Sequence, residues 1–524
     1  MKNRLIILLI FTLPNFCFKA EAQTNFNNRY IFNKPAVIFG GIEKSNSKLI
    51  VAGLLAYNLP PRFPCKNIIT TFDEAGNSLD TLHYSLGIPD KEYCTFFNLL
   101  IPTNDKGWLV GGYTLDTVIQ NVFITKYDSL FDVQFYKEFE DTSFNFSDIK
   151  SIYQSSSGDF YLLGRSSRSL TPSTNLIHFQ ILKTDSLGNL IWWKHYEPTP
   201  ESDAGSIVTL TDSTLLIGWC YTNSYSSNTV PGKGNTKLSI IDTAGNLIST
   251  WTDPVDSTFV PNQIIKTKDN GFAYASTYKK DQQYNGVYYA DMLLQGRVVK
   301  LDSAFNKIWV RNMGVPAATN SLNFIRELSN GSLIAGGQYY DRVLNFYASS
   351  SSGWLCKLNA NGDSVWNRIY RGVNTSDNWN YFQDIVILND GSIVACGQSK
   401  DNTATTQSQR GWLIRVDSMG CLIPGCDTLT ATSIKEASEE VIGVTVYPNP
   451  CKEMVYILMK SDNDIDDISF EVFNIKGAKM AEEKKADMNI TYLLNTQNYL
   501  SGLYFIKVKQ KQKVIAVRKF LKQE

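Results

Sequence analysis

Histidine is scarce in this chain of 524 residues, and the sequence carries no excess of charge. The three histidines, His83, His178 and His195, do not have the spacing of metal ligands. Fifty lysines and arginines balance fifty aspartates and glutamates, so no net field attracts polyanions. No Gly-Lys-Ser/Thr phosphate loop, Gly-x-Ser-x-Gly elbow or His-Glu-x-x-His helix occurs. We therefore expect no nucleic-acid partner, no metal, no cofactor and no catalytic residue.

The sequence also lacks an apolar run of the ~20 residues that a membrane-spanning helix requires. Its N-terminal apolar segment, residues 5–13, follows two basic residues and precedes Ala20-Glu21-Ala22. This order is typical of a signal peptide that covers residues 1–22 and is cleaved after Ala22. A lipoprotein would use Cys17 as its acyl acceptor, but the residues before Cys17 are not small. We expect export to the periplasm and no transmembrane segment.

Cysteine is limited to nine residues, one of them in the signal segment. The other eight enter an oxidising compartment, where spacing alone does not give their pairing. Cys421 and Cys426 are close enough in sequence to close a small loop. Cys220, Cys356 and Cys396 lie in strand-like apolar segments, so we expect them to be buried as small hydrophobic residues.

A repeat occupies the middle of the chain. The first half of each unit is an apolar run, a turn and a strand ending in small residues, as in residues 324–337 and 385–397. The second half is a strand, a turn that contains Asp or Asn, and another strand, as in residues 181–192. Seven units follow one another at intervals of about 50 to 60 residues, a period typical of repeat architectures.

Each unit predicts two hairpins and therefore four antiparallel strands. Such units must stack on one another, and a closed ring leaves no free end, so residues 23–428 predict a seven-bladed β-propeller. The last unit is one strand short, and a strand from about Arg29 to Phe32 is expected to complete it. Trp192, Trp309 and Trp366, seven residues after the turn Asp or Asn, are expected to cover contacts between blades.

The turn carboxylates recur at one position of the repeat, which favours a structural role in capping the turns. They are Asp73, Asp128, Asp185, Asp242, Asp302 and Asp417. The segment Asn359-Ala360-Asn361-Gly362-Asp363 is similar to a calcium loop but lacks the acidic ligands and the distal glutamate of an EF-hand. We expect turns here and no metal site.

The Asp-x-x-Gly-x-x-x-Trp pattern resembles the repeats of quinoprotein-like, WD-like and other secreted bacterial propellers. Quinone-dependent dehydrogenases of that kind carry a vicinal disulfide, and this sequence has no Cys-Cys pair. Sialidase-like propellers have a similar turn, but their glycine follows the aspartate by two residues, whereas Gly188 follows Asp185 by three. The resemblance implies the fold and no particular activity.

Long tyrosine-rich connections distinguish one face of the predicted propeller. In the fourth to seventh units, the connections between second and third strands and between blades are rich in aromatic residues. Aromatic rings with polar tips suit stacking on sugars or contact with a protein. The alternative is that these rings pack their own loops. The candidate ligand-binding residues are Tyr225, Tyr284, Tyr288, Tyr289, Tyr340 and Trp379.

A second domain follows a polar linker at residues 429–443. Short alternating strands at 444–447, 454–459, 468–474, 490–494, 503–508 and 514–521 predict a small β-sandwich over residues 444–524. Its motifs are Val446-Tyr447-Pro448-Asn449-Pro450, Phe473-Asn474-Ile475-Lys476-Gly477, residues 500–508 with Gly502 and Tyr504, and the basic end Arg518-Lys519-Phe520.

These motifs, in this order, resemble the type A C-terminal sorting domain of type IX secretion substrates in the Bacteroidota. The resemblance implies recognition by the type IX machinery and export through the periplasm to the outer surface or the medium. It further implies removal of the domain and either release or attachment to lipopolysaccharide. An ordinary accessory sandwich domain is the alternative.

Taken together, these patterns predict a secreted or surface-displayed β-propeller that is a non-enzymatic binding module with a glycan or protein ligand. A carbohydrate-active propeller enzyme, a glycoside hydrolase or lyase, is the alternative. Carboxylates converging on the central channel at suitable separations would favour the enzyme. A dry or tyrosine-lined channel would favour binding.

Overall fold

The computed structural model describes most of the chain, and the described residues form strands and turns. None of them belongs to a helix long and apolar enough to cross a membrane. The predicted signal peptide and linker, together with Tyr225 and Tyr289, lie outside the described residues. The structure describes residues 25–523 except 33–35, 57–64, 80–82, 85–91, 95–98, 116–118, 172–173, 197–201, 223–233, 256–257, 280–282, 285–286, 289–293, 315–319, 341–349, 376, 405–407, 424–425, 427–442, 461–467, 476, 487–490 and 511–512.

Contacts divide the chain into two units, Met1–Asp427 and Thr428–Glu524. The first unit begins with strand β1 (Phe26–Tyr30). Its other strands follow one another in seven antiparallel groups, which we call blades 1 to 7, and a single parallel pairing of Phe146 with Gln120 joins blades 2 and 3 into one sheet. Blade 1 contains β2 (Ala36–Ser45), β3 (Lys48–Ala56), β4 (Cys65–Asp73) and β5 (His83–Tyr84). Blade 2 contains β6 (Glu92–Cys94), β7 (Leu100–Pro102), β8 (Trp108–Leu115), β9 (Gln120–Tyr127) and β10 (Val133–Phe139). Blade 3 contains β11 (Phe146–Gln154), β12 (Phe160–Thr171), β13 (Thr174–Thr184) and β14 (Leu190–Tyr196).

The remaining blades repeat this order. Blade 4 contains β15 (Ser202–Thr211), β16 (Thr214–Thr222), β17 (Gly234–Asp242) and β18 (Leu247–Thr252). Blade 5 contains β19 (Gln263–Lys266), β20 (Phe272–Lys279), β23 (Leu294–Leu301) and β24 (Lys307–Met313), and the hairpin β21 (Gln283–Tyr284) and β22 (Val287–Tyr288) lies between its second and third strands. Blade 6 contains β25 (Ser321–Glu327), β26 (Leu333–Tyr340), β27 (Ser351–Leu358) and β28 (Ser364–Tyr370). Blade 7 contains β29 (Asn378–Ile387), β30 (Ile393–Asp401) and β31 (Arg410–Val416).

The blades close into a ring around their first strands. Contacts run from β2 to β7, β11, β15, β19, β25 and β29, and from β29 back to β2. Strand β1 completes blade 7 by pairing antiparallel with β31. The closing strand was expected at residues 29–32, but it spans Phe26–Tyr30 because Phe32, with a φ of +46°, turns the chain out of the sheet. The fold is therefore a seven-bladed β-propeller, as the repeat predicts.

Tryptophans join neighbouring blades at the outer strands. Trp309 Nε1 donates a hydrogen bond to Ala360 O (2.9 Å) in the next blade, and Trp192 and Trp366 make the corresponding bonds to Thr243 O and Ser418 O. The Trp309 ring lies against Gly362, whose φ is +82°, so a Cβ there would lie 2.6 Å from the indole. The predicted role of these tryptophans is confirmed.

The turn aspartates cap their own turns, as expected. Asp185 Oδ1 accepts hydrogen bonds from Leu187 N and Asn189 N (2.9 and 2.8 Å), and Asp73, Asp128, Asp242, Asp302 and Asp417 make equivalent bonds. Cys421 and Cys426 form a disulfide, and Cys220, Cys356 and Cys396 are buried and free.

The second unit is a small β-sandwich. One sheet has the order β32 (Gly443–Tyr447), β33 (Met454–Lys460), β36 (Thr491–Asn495). The other has the order β35 (Lys479–Ala486), β34 (Ile468–Asn474), β37 (Gly502–Gln510), β38 (Lys513–Lys522). Val455, Ile457, Val472 and Ile506 belong to the core between the two sheets. Strand β35 is not among the strands predicted from the sequence, because its lysines and glutamates obscure the alternation that is typical of a strand.

We expect Gly362→Ala to destabilise the propeller more than Gly331→Ala. Both glycines have a positive φ, so both substitutions cost about 1–2 kcal/mol in backbone strain. Only at Gly362 does the new methyl group meet a tryptophan, since the nearest atom at Gly331 is 3.6 Å away. The clash adds about 1–3 kcal/mol. Equal shifts in the thermal unfolding midpoint would contradict this account of the blade contact.

Candidate functional site

The central channel is lined by β-bulges that recur in the first strands. The pairing of the first and second strands shifts register at Lys150 in blade 3, Gly205 in blade 4, Asn323 in blade 6 and Gln383 in blade 7. A bulge places an extra residue outside the ladder and re-aims its side chain. All four bulge residues line one cavity in the channel.

This cavity has a volume of about 160 Å³, and eight of its eleven lining residues are polar or charged. Strands of blades 3 to 7 contribute to it, so it lies at the centre of the ring. It is smaller than the ~300–1,000 Å³ of most small-molecule sites. The polar and charged residues of its wall are Lys150, Ser151, Asp203, Ser206, Asn262, Gln263, Asn323 and Gln383.

Polar side chains of the first strands, three of them next to a bulge, also hold the ring together. Each accepts a hydrogen bond from a backbone N–H of the following blade. Across four seams the pairs of acceptor and donor are Ser151 Oγ with Ile207 N (3.2 Å), Ser206 Oγ with Ile264 N (3.0 Å), Gln263 Oε1 with Ile325 N (2.8 Å), and Asp384 Oδ2 with Ile42 N (3.2 Å).

Arg326 connects three of these blades through its guanidinium. It donates to Gln263 Oε1 in blade 5 and to Asp384 Oδ1 in blade 7 (2.6 Å). Asp384 is fully buried, and its burial raises its pKa to about 6 although Arg326 opposes the shift. Burial and the neighbouring Asp384 raise the pKa of Glu43, in blade 1, to about 7. This seam of the ring therefore holds two acids that take up protons close to neutral pH.

A second charged cluster lies where blades 3 and 4 meet. Asp148 Oδ2 accepts a hydrogen bond from Arg165 Nε (3.1 Å) and pairs with Lys150 Nζ at 3.3 Å. Arg165 also reaches Asp203 Oδ2 at 3.8 Å. Burial lowers the pKa of Lys150, and Asp148 opposes that shift. Two acids and two bases thus balance in charge beside the cavity.

Sequence reasoning missed these channel residues. Their signal in the sequence is weak, because a first strand such as β11 mixes polar and apolar residues and Lys150 is one of several polar residues in it. No three His, Cys, Asp or Glu side chains among the residues with described positions come together in a way that could hold a metal ion.

The structure brings together two of the six predicted aromatic residues. Trp379 Nε1 donates to the hydroxyl of Tyr340 (3.3 Å), which also accepts from Gln338 Nε2 (3.0 Å). Trp379 remains 41% exposed. Tyr284 and Tyr288 lie on the two strands of the β21–β22 hairpin, where they pair with Val287 and Gln283. We call Trp379 and Tyr340 the rim pair.

Residues of the predicted sorting signal meet along the last strand of the second unit. Asn449 Nδ2 donates to Lys519 O (3.1 Å), and Asn449 Oδ1 accepts from Leu521 N (2.8 Å). Cys451 N donates to Leu521 O (2.8 Å). Pro448 and Pro450 lack an N–H and flank this asparagine. The Tyr-Pro-Asn-Pro motif therefore docks its segment onto β38.

The other signal residues also have structural partners. The Tyr447 ring stacks on Tyr456 with 5.4 Å between centroids. Gly477, with a φ of +77°, closes the turn after β34. Tyr504 donates its hydroxyl proton to Leu500 O (2.8 Å). Gly502 is the first residue of β37.

Residues 445–523 match the family model of the secretion system C-terminal sorting domain. The chain therefore carries a type IX sorting domain, as its motifs predict. It is a substrate of the type IX machinery and is secreted to the cell surface or the exterior. No curated protein matches the chain at a significant level.

Solved structures similar to the chain include other propellers. A Dyadobacter fermentans protein of unknown function has 9% identity and a TM-score of 0.42, covering 75% of this chain and 99% of that one. The β-propeller domain of the Trilobed protease from Pyrococcus furiosus has 10% identity and a TM-score of 0.39, covering 76% and 99%. A Penicillium chrysogenum alpha-L-arabinanase has 11% identity and a TM-score of 0.38, covering 75% and 98%. Scores this low say nothing about the activity of this chain.

We expect Arg326→Met to destabilise the propeller by about 3–5 kcal/mol, because it leaves the buried Asp384 charge unpaired. Arg311→Met is the matched control, since Arg311 and its partner Asp363 are 41% and 66% exposed. Such exposed pairs contribute about 0–1 kcal/mol. The measurement is chemical unfolding at pH 7.5 and pH 5.

The loss in Arg326→Met should be smaller at pH 5. Asp384 already has a raised pKa, and without Arg326 its carboxyl group takes up a proton more readily, which removes the unpaired charge. A loss no larger than that of Arg311→Met, or one that grows at pH 5, would show that Arg326 does not hold the ring.

We expect Asn449→Ala to loosen the docked segment of the sorting domain. The substitution removes both bonds to β38, at about 1 kcal/mol each. The Leu521 amide should then exchange its hydrogen faster, while the core Ile506 amide is unaffected. Asn495→Ala, which removes only a turn bond to Gln497 N, is the control. Unchanged Leu521 exchange would contradict the docking role of Asn449.

Proposed function

We propose that the exported propeller is a non-enzymatic binding module that holds an extracellular glycan or protein ligand at its aromatic rim. The observation that carries this proposal is the rim pair. Tyr340 ends the second strand of blade 6, and Trp379 begins the first strand of blade 7. Both therefore lie on the face where the long connections of the chain occur.

The rim pair has the properties of a stacking surface. An exposed indole offers a large flat area, and the hydrogen bond to Tyr340 fixes its orientation before a ligand arrives. Fixing a contact residue in advance lowers the entropic cost of binding. Among the large hydrophobic side chains that the described residues expose, Trp379 is the sole tryptophan.

The channel carboxylates support binding over catalysis, because Asp148 and Asp384 are bound by arginines and Asp384 also accepts the Ile42 amide. One observation favours a second candidate, a carbohydrate-active enzyme. Glu43, with a pKa of about 7, holds a proton near neutrality, as a general acid of glycoside cleavage must.

The proposal includes the boundaries of the domains. A propeller at 23–428, a linker at 429–443 and a sorting domain at 444–524 would allow the last part to be removed after export. Release, or attachment to lipopolysaccharide, is what the family resemblance implies for the mature protein.

Thermal unfolding of the protein with a panel of host and bacterial glycans tests the proposal. A ligand that binds the native state raises the unfolding midpoint by mass action. We expect Trp379→Ala to reduce the shift for an active glycan that reaches the rim, because the substitution removes the exposed indole on which the glycan stacks. Ile308→Ala, a change at an exposed residue of the outer strand β24, is the control.

One result would contradict the proposed binding at the rim, and another would show that the protein is an enzyme. If a glycan shifts the unfolding midpoint of Trp379→Ala as much as that of the unaltered protein, the rim is not part of the binding site. Shortening of the bound glycan by the unaltered protein but not by Glu43→Gln would establish the enzyme instead.

A further inference from the structure

We propose that the channel cavity is a subsite for the terminal ring of a neutral oligosaccharide, whose following rings lie along β29 up to Trp379. This inference rests on the proposed function and specifies its ligand. The channel residues are not among those predicted from sequence, and nothing in their ring-closing role requires a cavity.

Strand β29 forms a continuous track from the rim into the cavity. Trp379 and Tyr381 alternate with the buried Asn380 and Phe382, so both lie on one face of the strand. The bulge residue Gln383 follows them in the chain. The rings of Trp379 and Tyr381 are 6.2 Å apart and nearly perpendicular. Tyr381 is two residues from Gln383 in the strand, and Gln383 lines the cavity.

The length of the track sets the size of the ligand. Four residues of extended strand separate Trp379 from Gln383, a distance of about 13 Å and so roughly three linked sugar rings. The cavity of about 160 Å³ has room for little more than one ring. A chain entering from the rim would therefore place one end in the cavity and its third ring on the indole.

The cavity wall suits hydroxyl groups. Asn262 Nδ2 donates to Leu322 O (2.8 Å) and Asn323 Nδ2 donates to Phe382 O (2.9 Å), so two amides are fixed by the next blade and can offer their carbonyl oxygens. Lys150 adds donors to the wall, and Asp203 adds acceptors. A sugar hydroxyl both donates and accepts, so it matches this mixture.

The local charges favour a neutral ligand. Lys150 and Arg165 balance Asp148 and Asp203 within one ion-paired cluster. A ligand with a net charge would meet no excess of the opposite sign and would lose its hydration on entering. We therefore assign neutral saccharides rather than uronic or sialic acids to this subsite.

Calorimetry with the full-length protein tests the subsite. The probes are gluco-, manno- and xylo-oligosaccharides of one to five rings, with the matching uronic acid oligomers as charged probes. Affinity for one neutral series should rise with length up to about three rings, the length of the track. Gln383→Leu should weaken binding about tenfold at every length, because a ligand hydroxyl loses its partner.

Trp379→Ala should weaken only probes long enough to reach the rim. Gln497→Leu, the same change at an exposed residue of the second unit, should have no effect. Lys150→Met is a second cavity variant, and the unfolding midpoint of each variant shows that it is folded.

The outcomes separate this inference from the proposed function. If Trp379→Ala weakens every probe and both cavity variants weaken none, binding occurs at the rim alone and the subsite is wrong. If no variant changes the binding, the proposed site and the subsite both fail. Failure of every neutral probe to bind, or tighter binding of the charged probes, would overturn the assignment of a neutral saccharide.

Discussion

The ring depends on hydrogen bonds between side chains of one blade and the backbone of the next. A buried N–H without an acceptor is costly, and the first strand of each blade forms its antiparallel ladder on one edge alone. At four seams that need is met by Ser151, Ser206, Gln263 and Asp384, and all but Gln263 directly follow a bulge residue. The contacts of Trp192, Trp309 and Trp366 at the outer strands repeat the same principle, since each indole N–H bonds to a carbonyl of the following blade.

This constraint explains why polar side chains lie at the centre of the ring. An apolar channel would leave the amides of Ile42, Ile207, Ile264 and Ile325 without acceptors. The same bulges that place acceptors at the seams turn Lys150, Asn323 and Gln383 toward the cavity, so a potential binding site arises from residues that the ring already requires. Arg326 shows the link most directly, because it neutralises Asp384 while that carboxylate accepts the Ile42 amide of blade 1.

Features with a local cause could be predicted from the sequence. The Asp-x-x-Gly turns predict the hairpins, the spacing of the units predicts the blades, and the Tyr-Pro-Asn-Pro motif predicts the sorting domain. The channel could not be predicted, because a bulge at Lys150 or Gln383 depends on pairing with the neighbouring strand, and the polar residue at the bulge is one of several in its strand. Strand β35 was missed because its stability comes from the hairpin with β34 and not from its own apolar pattern. Of the aromatic loop residues, the structure joins Tyr340 to Trp379, and only tertiary contact could reveal that pair.

Native-state hydrogen exchange at Ile42, Ile207, Ile264 and Ile325 would test most directly whether the blades form one ring held by these side chains. If they do, the four amides should show equal protection and open only with the whole propeller, because breaking one seam exposes the others. The exchange rate of the Ile42 amide is the most informative of the four, because Ile42 lies at the seam between blades 7 and 1, where the two ends of the propeller sequence meet. Fast, independent exchange at Ile42, with the other three amides still protected, would contradict a closed and cooperative ring.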